Sequence, residues 1–368
     1  MTTRECFQRI CRFEKAERIP NYEIGPSKAC LARWREEGFP AGVSVAEHFG
    51  IEHSEDMQFI VYGPLPGVSD RTGWPGVVSA DGRQRFMRDA WGRETVAPLD
   101  DEHADGAREI LRPGIRNRAD WEKLRDQFDP DEPTRYPVHW DEDNWAQRCA
   151  RWRDRDHVVA LRGPSMIGEV KEVMGFENFC IMLYDDYALV DEVIETRTRL
   201  AEQMLAKAFT EAQFDVFHFW EDIAYRNGPI LSPEMFERLA VPRYKRLTDM
   251  ARSYGIDICS VDSDGDIRKL IPGWLRGGIN HIWPMEVFAG MDVVALRKEY
   301  GHAFSMRGGV DKFVVTRDKD AIDRELERIF PVVQDGGLIP HLDHNFGFAP
   351  FENYCYYMER KQEMLASV

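Results

Sequence analysis

Nowhere in the 368 residues does an apolar run approach the ~20 residues that a helix needs to cross a bilayer. The opening MTTRECFQRI lacks the apolar core of a secretory leader. The seven cysteines, Cys6, Cys11, Cys30, Cys149, Cys180, Cys259 and Cys355, include no C-x-x-C pair. Neither a thiolate zinc knuckle nor a disulfide framework is therefore suggested. Basic charge is scarce as well: 48 Lys and Arg stand against 64 Asp and Glu, a formal charge of -16. A nucleic-acid surface needs a basic stripe to neutralise phosphates, so nucleic acid is excluded as a partner. No G-x-G-x-x-G follows the first strand candidate, which removes the main support for a dinucleotide fold. Together these absences predict a soluble cytoplasmic protein with no membrane partner.

The composition present, 43% hydrophobic and 30% charged, is that of an ordinary folded protein long enough to bury a sizeable core. From about His157 the chain alternates regularly. Short apolar runs occur at HVVALRG, DVFHFWED, IDICSVDSDG, INHIWPM, AFSMRGG and GLIPHLDH, each followed by a longer amphipathic segment. In PEMFERLAVPRYKRLTDMARSYG, residues Phe236, Leu239, Ala240, Tyr244 and Leu247 fall at helical spacing. Ser232 followed by Pro233 predicts the helix start, and Gly255 its stop. Six strand-helix units imply a parallel sheet with helices outside. RIPNYEI and MQFIVYG would complete eight strands, so the expected fold is α/β, a (β/α)8 TIM barrel. The stretch from about 63 to 150 breaks the rhythm, with a turn at Asp81-Gly82 and a charged, Trp-bearing segment. It reads as an insertion, a β-hairpin and short helix over one end of a single barrel domain spanning 1-368.

In such barrels the reactive residues sit where strands end and loops begin. VFHFW ends in Glu221 and Asp222, IDICSV in Asp262 and Asp264, and INHIWPM in Glu286. AFSM runs into Arg307, with Asp311 beyond, and GLIP into His341, Asp343 and His344. One acid after a strand is usually a helix cap, the reading given to Asp266 and Asp311. Five strand ends carrying ionisable groups converge on one mouth, which predicts an enzyme.

These residues resemble the uroporphyrinogen decarboxylase superfamily along nearly the whole chain. ECFQRICRFEKAERIPNYE is similar to its first helix and strand, and GPSMIGEVKEVMGFENFCIMLYDD to its glycine-proline loop and helix. NGPILSPEMFERLAVPRYKRL and the run from GGVDKFVV to GGLIPHLDHNFGFAPFENYCYYME are the most specific matches. The resemblance implies a (β/α)8 barrel and one of two chemistries, decarboxylation of tetrapyrrole acetates or cobalamin-dependent methyl transfer. The decarboxylases' R-Q-A-G-R-Y loop is replaced by YEIGPSKACLARW, with no arginine before Arg33, and their tyrosine falls on Val170. A substrate with many carboxylates needs such a clamp, so uroporphyrinogen is disfavoured, although the functional histidine of N-L-G-H aligns with His344.

The methyltransferases of the superfamily that act on thiols bind zinc through H-x-C-G and a late cysteine. Aligned on Gly265, VDSDG sets Asp262 at the histidine and Asp264 at the cysteine, with His344 at the late cysteine. Oxygen and imidazole donors suit zinc or a harder divalent ion; a metal held by Asp262, Asp264 and His344 and a metal-free set of capping acids both remain open. The expected activity is removal of a methyl group from a small O- or N-methylated molecule. By resemblance the acceptor is a corrinoid (methylcobalamin chemistry) on a separate protein, or tetrahydrofolate. The chain lacks the D-x-H-x-x-G corrinoid motif of fused enzymes. Glu221 or Asp222 would be the proton donor and His344 a third catalytic residue. Trp220, Tyr225, Trp283, Arg307 and His341 are the candidate substrate-binding residues. Two alternatives stand beside this: a carboxy-lyase acting on a small or tetrapyrrole acid, with Arg307 anchoring the carboxylate, and a non-catalytic ligand-binding barrel. A homodimer is compatible with all three.

Overall fold

The computed structural model describes residues 1-57, 62-64, 77-79, 81-98, 109-132, 135 and 145-367. Thirteen strands follow in chain order among them: β1 (Ser54–Met57), β2 (Val77–Val78), β3 (Gln84–Arg88), β4 (Glu94–Pro98), β5 (Glu109–Arg112), β6 (Val158–Arg162), β7 (Val216–Trp220), β8 (Ala224–Tyr225), β9 (Gly228–Pro229), β10 (Ile258–Asp262), β11 (His281–Trp283), β12 (Ser305–Val310) and β13 (Leu338–Leu342). Seven of them form one parallel sheet in the order β1-β6-β7-β10-β11-β12-β13. Helices pack outside it, and strands β7, β10 and β13 are buried on both faces as a helix-covered parallel sheet requires, while the edge strand β1 is partly exposed. No helix among the described residues is long and apolar enough to cross a membrane.

The sheet is TIM-like but not fully closed, with seven strands where eight were expected. RIPNYEI forms no strand. Pro20 brings no N–H to a ladder, and the segment joins the two sheet edges by other means. On one side the Glu52 N–H donates to the Asn21 carbonyl at 2.9 Å. On the other, the Leu342 N–H donates to the Glu23 carboxylate at 3.3 Å, and Pro26 makes an isolated parallel bridge with Phe346. Glu23 is anchored in turn by Lys361 and the Tyr357 hydroxyl, both at 2.7 Å. A side chain thus bridges the seam where a backbone ladder was predicted. MQFIVYG also differs: the strand runs over Ser54–Met57, and residues 58-61 lie outside those described.

The helix after β7 begins as predicted, with the Ser232 hydroxyl accepting from the Met235 N–H at 3.2 Å and Pro233 in the first turn. It does not run unbroken to Gly255. Pro242 divides it into Pro233–Leu239 and Val241–Ser253, because proline has no N–H to continue the ladder. Within 63-150, β2 to β5 make a separate four-stranded antiparallel sheet, followed by the helix Arg118–Glu122. The Gly114 N–H ties this region to the barrel helices through the Val173 carbonyl.

Candidate functional site

At the carboxyl end of β7 the chain separates two consecutive acids. The Glu221 N–H extends the ladder to the Asp262 carbonyl at 2.9 Å, and Asp222 then takes a left-handed conformation, φ 46°. Aspartate tolerates this region better than most residues, and the reversal sends the two side chains to different places. Glu221 enters the helix layer and is fully buried. Its carboxylate accepts from the N–H groups of Met166 (2.7 Å), Ile167 (3.0 Å) and Gly168 (3.0 Å), from the Ser165 hydroxyl at 3.0 Å, and from the Tyr244 hydroxyl. Gly168 is required there, since a Cβ would meet the Glu221 carbonyl oxygen at 1.8 Å. Lys171 reaches the Asp222 carbonyl at 3.0 Å and fixes the turn.

Asp222 faces the mouth with Asp262 and Asp264. The three each offer a carboxylate oxygen within 4.8 Å of the others. The Asp264 N–H donates to Asp222 at 3.3 Å, and Asp264 also meets Nε2 of His344 at 3.3 Å. His344 Nδ1 sits 2.7 Å from the Asn345 side-chain oxygen. Burial, reinforced by Asp264, pushes the Asp222 carboxyl up to about 6. Burial together with the Asp222 and Asp264 charges pushes Asp262 well above the carboxylate range. His344 is raised to about 9 by its hydrogen bond to Asp264. Like charges at this distance cannot all persist unrelieved; a proton or a cation must sit among them. The donor set, carboxylate oxygens with one imidazole in reach, fits a divalent ion such as zinc.

The VDSDG turn is held by neighbours. Gly265, at φ 86°, donates its N–H to Glu286 at 3.0 Å, and a Cβ there would strike the Ala224 backbone at 2.6 Å. Asp343 accepts from the Val287 and Lys312 N–H groups at 2.6 and 3.1 Å, and burial raises it to about 7. Asp266 and Asp311 accept from the N–H groups of Arg268 (3.2 Å) and Phe313 (2.9 Å), local turn bonds.

Arg307 and His341 lie within strands, where the sequence reading had them at strand ends. Both belong to the barrel interior. His341 is wholly buried, and burial beside the Arg307 charge keeps its imidazole neutral. With Nδ1–H donating to the Leu342 carbonyl at 2.6 Å, its Nε2 accepts from Arg307 Nε at 3.1 Å. The Arg307 guanidinium is sandwiched between the rings of Tyr22 (4.9 Å) and Trp283 (4.8 Å), and Trp283 stacks on His218 at 5.4 Å. One layer below, His218, Ser260, His281 and Ser305 occupy neighbouring strands in register. His218 and His281 pair with the Ser260 and Ser305 hydroxyls at 2.7 and 2.8 Å. Burial lowers these histidines to about 4 and about 3. A cavity of about 150 Å³ opens among these residues. The sequence reading missed Tyr22 and His218; the period-two alternation of VFHFW marks His218 as sharing a face with Trp220, which could have flagged it.

Trp220 and Tyr225 are 41% and 57% exposed, on the rim, while Trp283 is partly buried inside. At the amino ends of β1 and β6 a second group of ligand-type residues occurs. Glu55 lies 2.8 Å from His157 Nε2 and 3.8 Å from His53 Nε2, with its other oxygen accepting from the Trp152 indole at 3.1 Å.

No family model and no curated protein matches the sequence. Among solved structures, a methyltransferase from Methanosarcina mazei aligns with a TM-score of 0.59 at 12% identity, covering 99% of each chain. A B12-independent methionine synthase from Shewanella sp. W3-18-1 aligns over 59% of this chain and 65% of its own, with TM-score 0.36 and 10% identity. The first likeness establishes a shared fold over the full length.

Proposed function

We propose that the protein is a methyltransferase of the uroporphyrinogen decarboxylase-like type. On this reading it removes a methyl group from a small O- or N-methylated substrate and passes it to a corrinoid on a separate protein or to tetrahydrofolate. The observation that carries the reading is the cluster of Asp222, Asp262 and Asp264 at the barrel mouth, with His344 set against Asp264. The full-length fold likeness to a methyltransferase supports it. An alkoxide or amide anion is a poor leaving group, so the oxygen or nitrogen must be protonated or bound to a Lewis acid as its bond to the methyl carbon breaks. Asp222 is assigned the proton: it faces the mouth, and burial beside Asp264 favours its acid form. The methyl carbon leaves for the acceptor while the proton of Asp222 moves to the departing atom, releasing an alcohol or amine. Glu221 is assigned a positioning role, because its carboxylate is committed to five donors in the helix layer. Asp262, Asp264 and His344 would hold a divalent ion, zinc being the best fit, and its Lewis acidity would then act at the leaving group in place of the Asp222 proton. To bind it, His344 must give up the proton that Asp264 now stabilises, so ion uptake should release protons.

The test is metal analysis of the purified protein, followed by demethylation assays with methoxy- and N-methyl compounds and each acceptor. A stoichiometric divalent ion lost in Asp264→Asn, together with methylated acceptor formed only by the loaded protein, is the expected result. Turnover that survives both metal removal and Asp222→Asn would overturn the assignment.

A further inference from the structure

Barrel cores are ordinarily filled by layers of Val, Ile and Leu. This one carries His218, Ser260, His281 and Ser305 in a single layer, with the guanidinium of Arg307 above it. Burying polar groups costs free energy unless each finds a partner, and here several do not. Tyr22 and His218 are each 2% exposed, and neither the Tyr22 hydroxyl nor His218 Nε2 has a hydrogen-bond partner among the described residues. Arg307 forms no ion pair among the described residues; its one hydrogen bond uses Nε, leaving both terminal nitrogens uncommitted. The carboxylates on the same wall are already engaged, Asp56 by Arg162 at 2.6 Å and Glu55 by His157 and Trp152. Arg307, Tyr22 and His218 line one cavity of about 150 Å³, well above the ~10–15 Å³ that a single water needs.

We infer that this interior cavity is the binding site for a small organic carboxylate, whose acid group pairs with the terminal nitrogens of Arg307 and takes hydrogen bonds from the Tyr22 hydroxyl and His218 Nε2. A planar guanidinium clamped between two rings presents a fixed fork that matches a carboxylate bidentately. Nδ1 of His218 is taken up by the Ser260 hydroxyl at 2.7 Å, and the tautomer in which Ser260 donates there puts the ring N–H on Nε2, where it donates to the anion. Trp283 lines the cavity beside Arg307 and stands in register with Asp262 across the β10–β11 ladder. This deepens the methyl-transfer reading, which then concerns methylated acids, but the binding claim stands on the cavity alone.

The experiment titrates the full-length protein with methoxyacetate, N,N-dimethylglycine and 4-methoxybenzoate, and with the neutral amide of each, following calorimetry and tryptophan fluorescence. At least one acid should bind, at least tenfold more tightly than its amide. Arg307→Met should abolish that preference, and Arg307→Lys should retain part of it. Tyr22→Phe removes a hydroxyl that has no partner among the described residues, so thermal stability should hold or rise while acid binding weakens several-fold. This variant decides the matter if Arg307→Met fails to fold. Equal binding of acids and amides, no binding by any acid, or unchanged binding in Tyr22→Phe and Arg307→Met would overturn the inference. The methyl-transfer reading fails separately: an acid that binds but is never demethylated, or that releases CO₂ instead, removes that reading and leaves the carboxylate site in place.

Discussion

Glu221 and Asp222 are adjacent in the chain and carry the same acid group, yet they sit in opposite physical situations. Around Glu221 every lone pair is met by a backbone N–H or a hydroxyl, so its charge is solvated by protein dipoles. Around Asp222 the neighbours are two more carboxylates, set against Lys171, which is spent on the Asp222 carbonyl, and the His344 imidazolium on Asp264. The first arrangement stores stability and can do nothing further without breaking. The second is short of positive charge and is relieved by whatever enters, a proton or a metal. A charged residue at a strand end is therefore informative only once its partners are counted.

Breaking the first half of this comparison should give the largest effect. Glu221→Ala leaves three N–H groups and two hydroxyls unpaired in a buried site, at about 1–3 kcal/mol per orphaned group. We expect a loss of at least ~3 kcal/mol in denaturant unfolding, with soluble yield falling accordingly. A variant of native stability but no turnover would return Glu221 to the chemistry. The second half predicts the reverse split. Asp222→Asn should lower turnover by ~100-fold or more, the usual scale for a lost general acid, while unfolding stability holds or improves because a repulsive charge is gone. His344→Ala should likewise lose turnover with the fold intact.

A smaller, sharper effect concerns His344 in metal-free protein. With Asp264→Asn its imidazole should titrate near the ordinary ~6.5 in place of about 9, which NMR of the ring protons would follow. The folded value is raised, so the pair's stabilisation is present below about 6.5 and is lost as the pH rises through about 9. The stability gap between wild type and variant should close over that window; a gap independent of pH would show the ion pair contributes nothing.

The smallest effect separates mouth from interior. His218 and His281 are lowered to about 4 and about 3, so the unfolded chain binds protons that the folded one refuses. Stability should fall as the pH drops below about 6.5. Replacing His281 with Asn should flatten that acid limb, read from denaturant midpoints between pH 8 and 4. An unchanged slope would mean that interior water already lets the imidazole charge.

The strand-helix alternation, the start of the helix at Ser232, and the gathering of ionisable residues near strand ends were legible in the order of residues alone. Each of these follows from local period, capping or turn chemistry, which a short window of residues contains. Tertiary structure decided the rest. RIPNYEI has strand-like composition, but whether it pairs depends on edges contributed from residues 54 and 338 onward, and there the Glu23 side chain took the ladder's place. That Glu221 turns into the helix layer while Asp222 turns to the mouth depends on a backbone reversal and on donors from residues 165-168 and 244. Arg307, Tyr22, Trp283 and His218 stand far apart in the chain and meet only because a parallel sheet curls. Burial, unpaired atoms and like-charge proximity are properties of that meeting, because solvation and Coulomb energy depend on distance in space and hardly at all on separation along the chain.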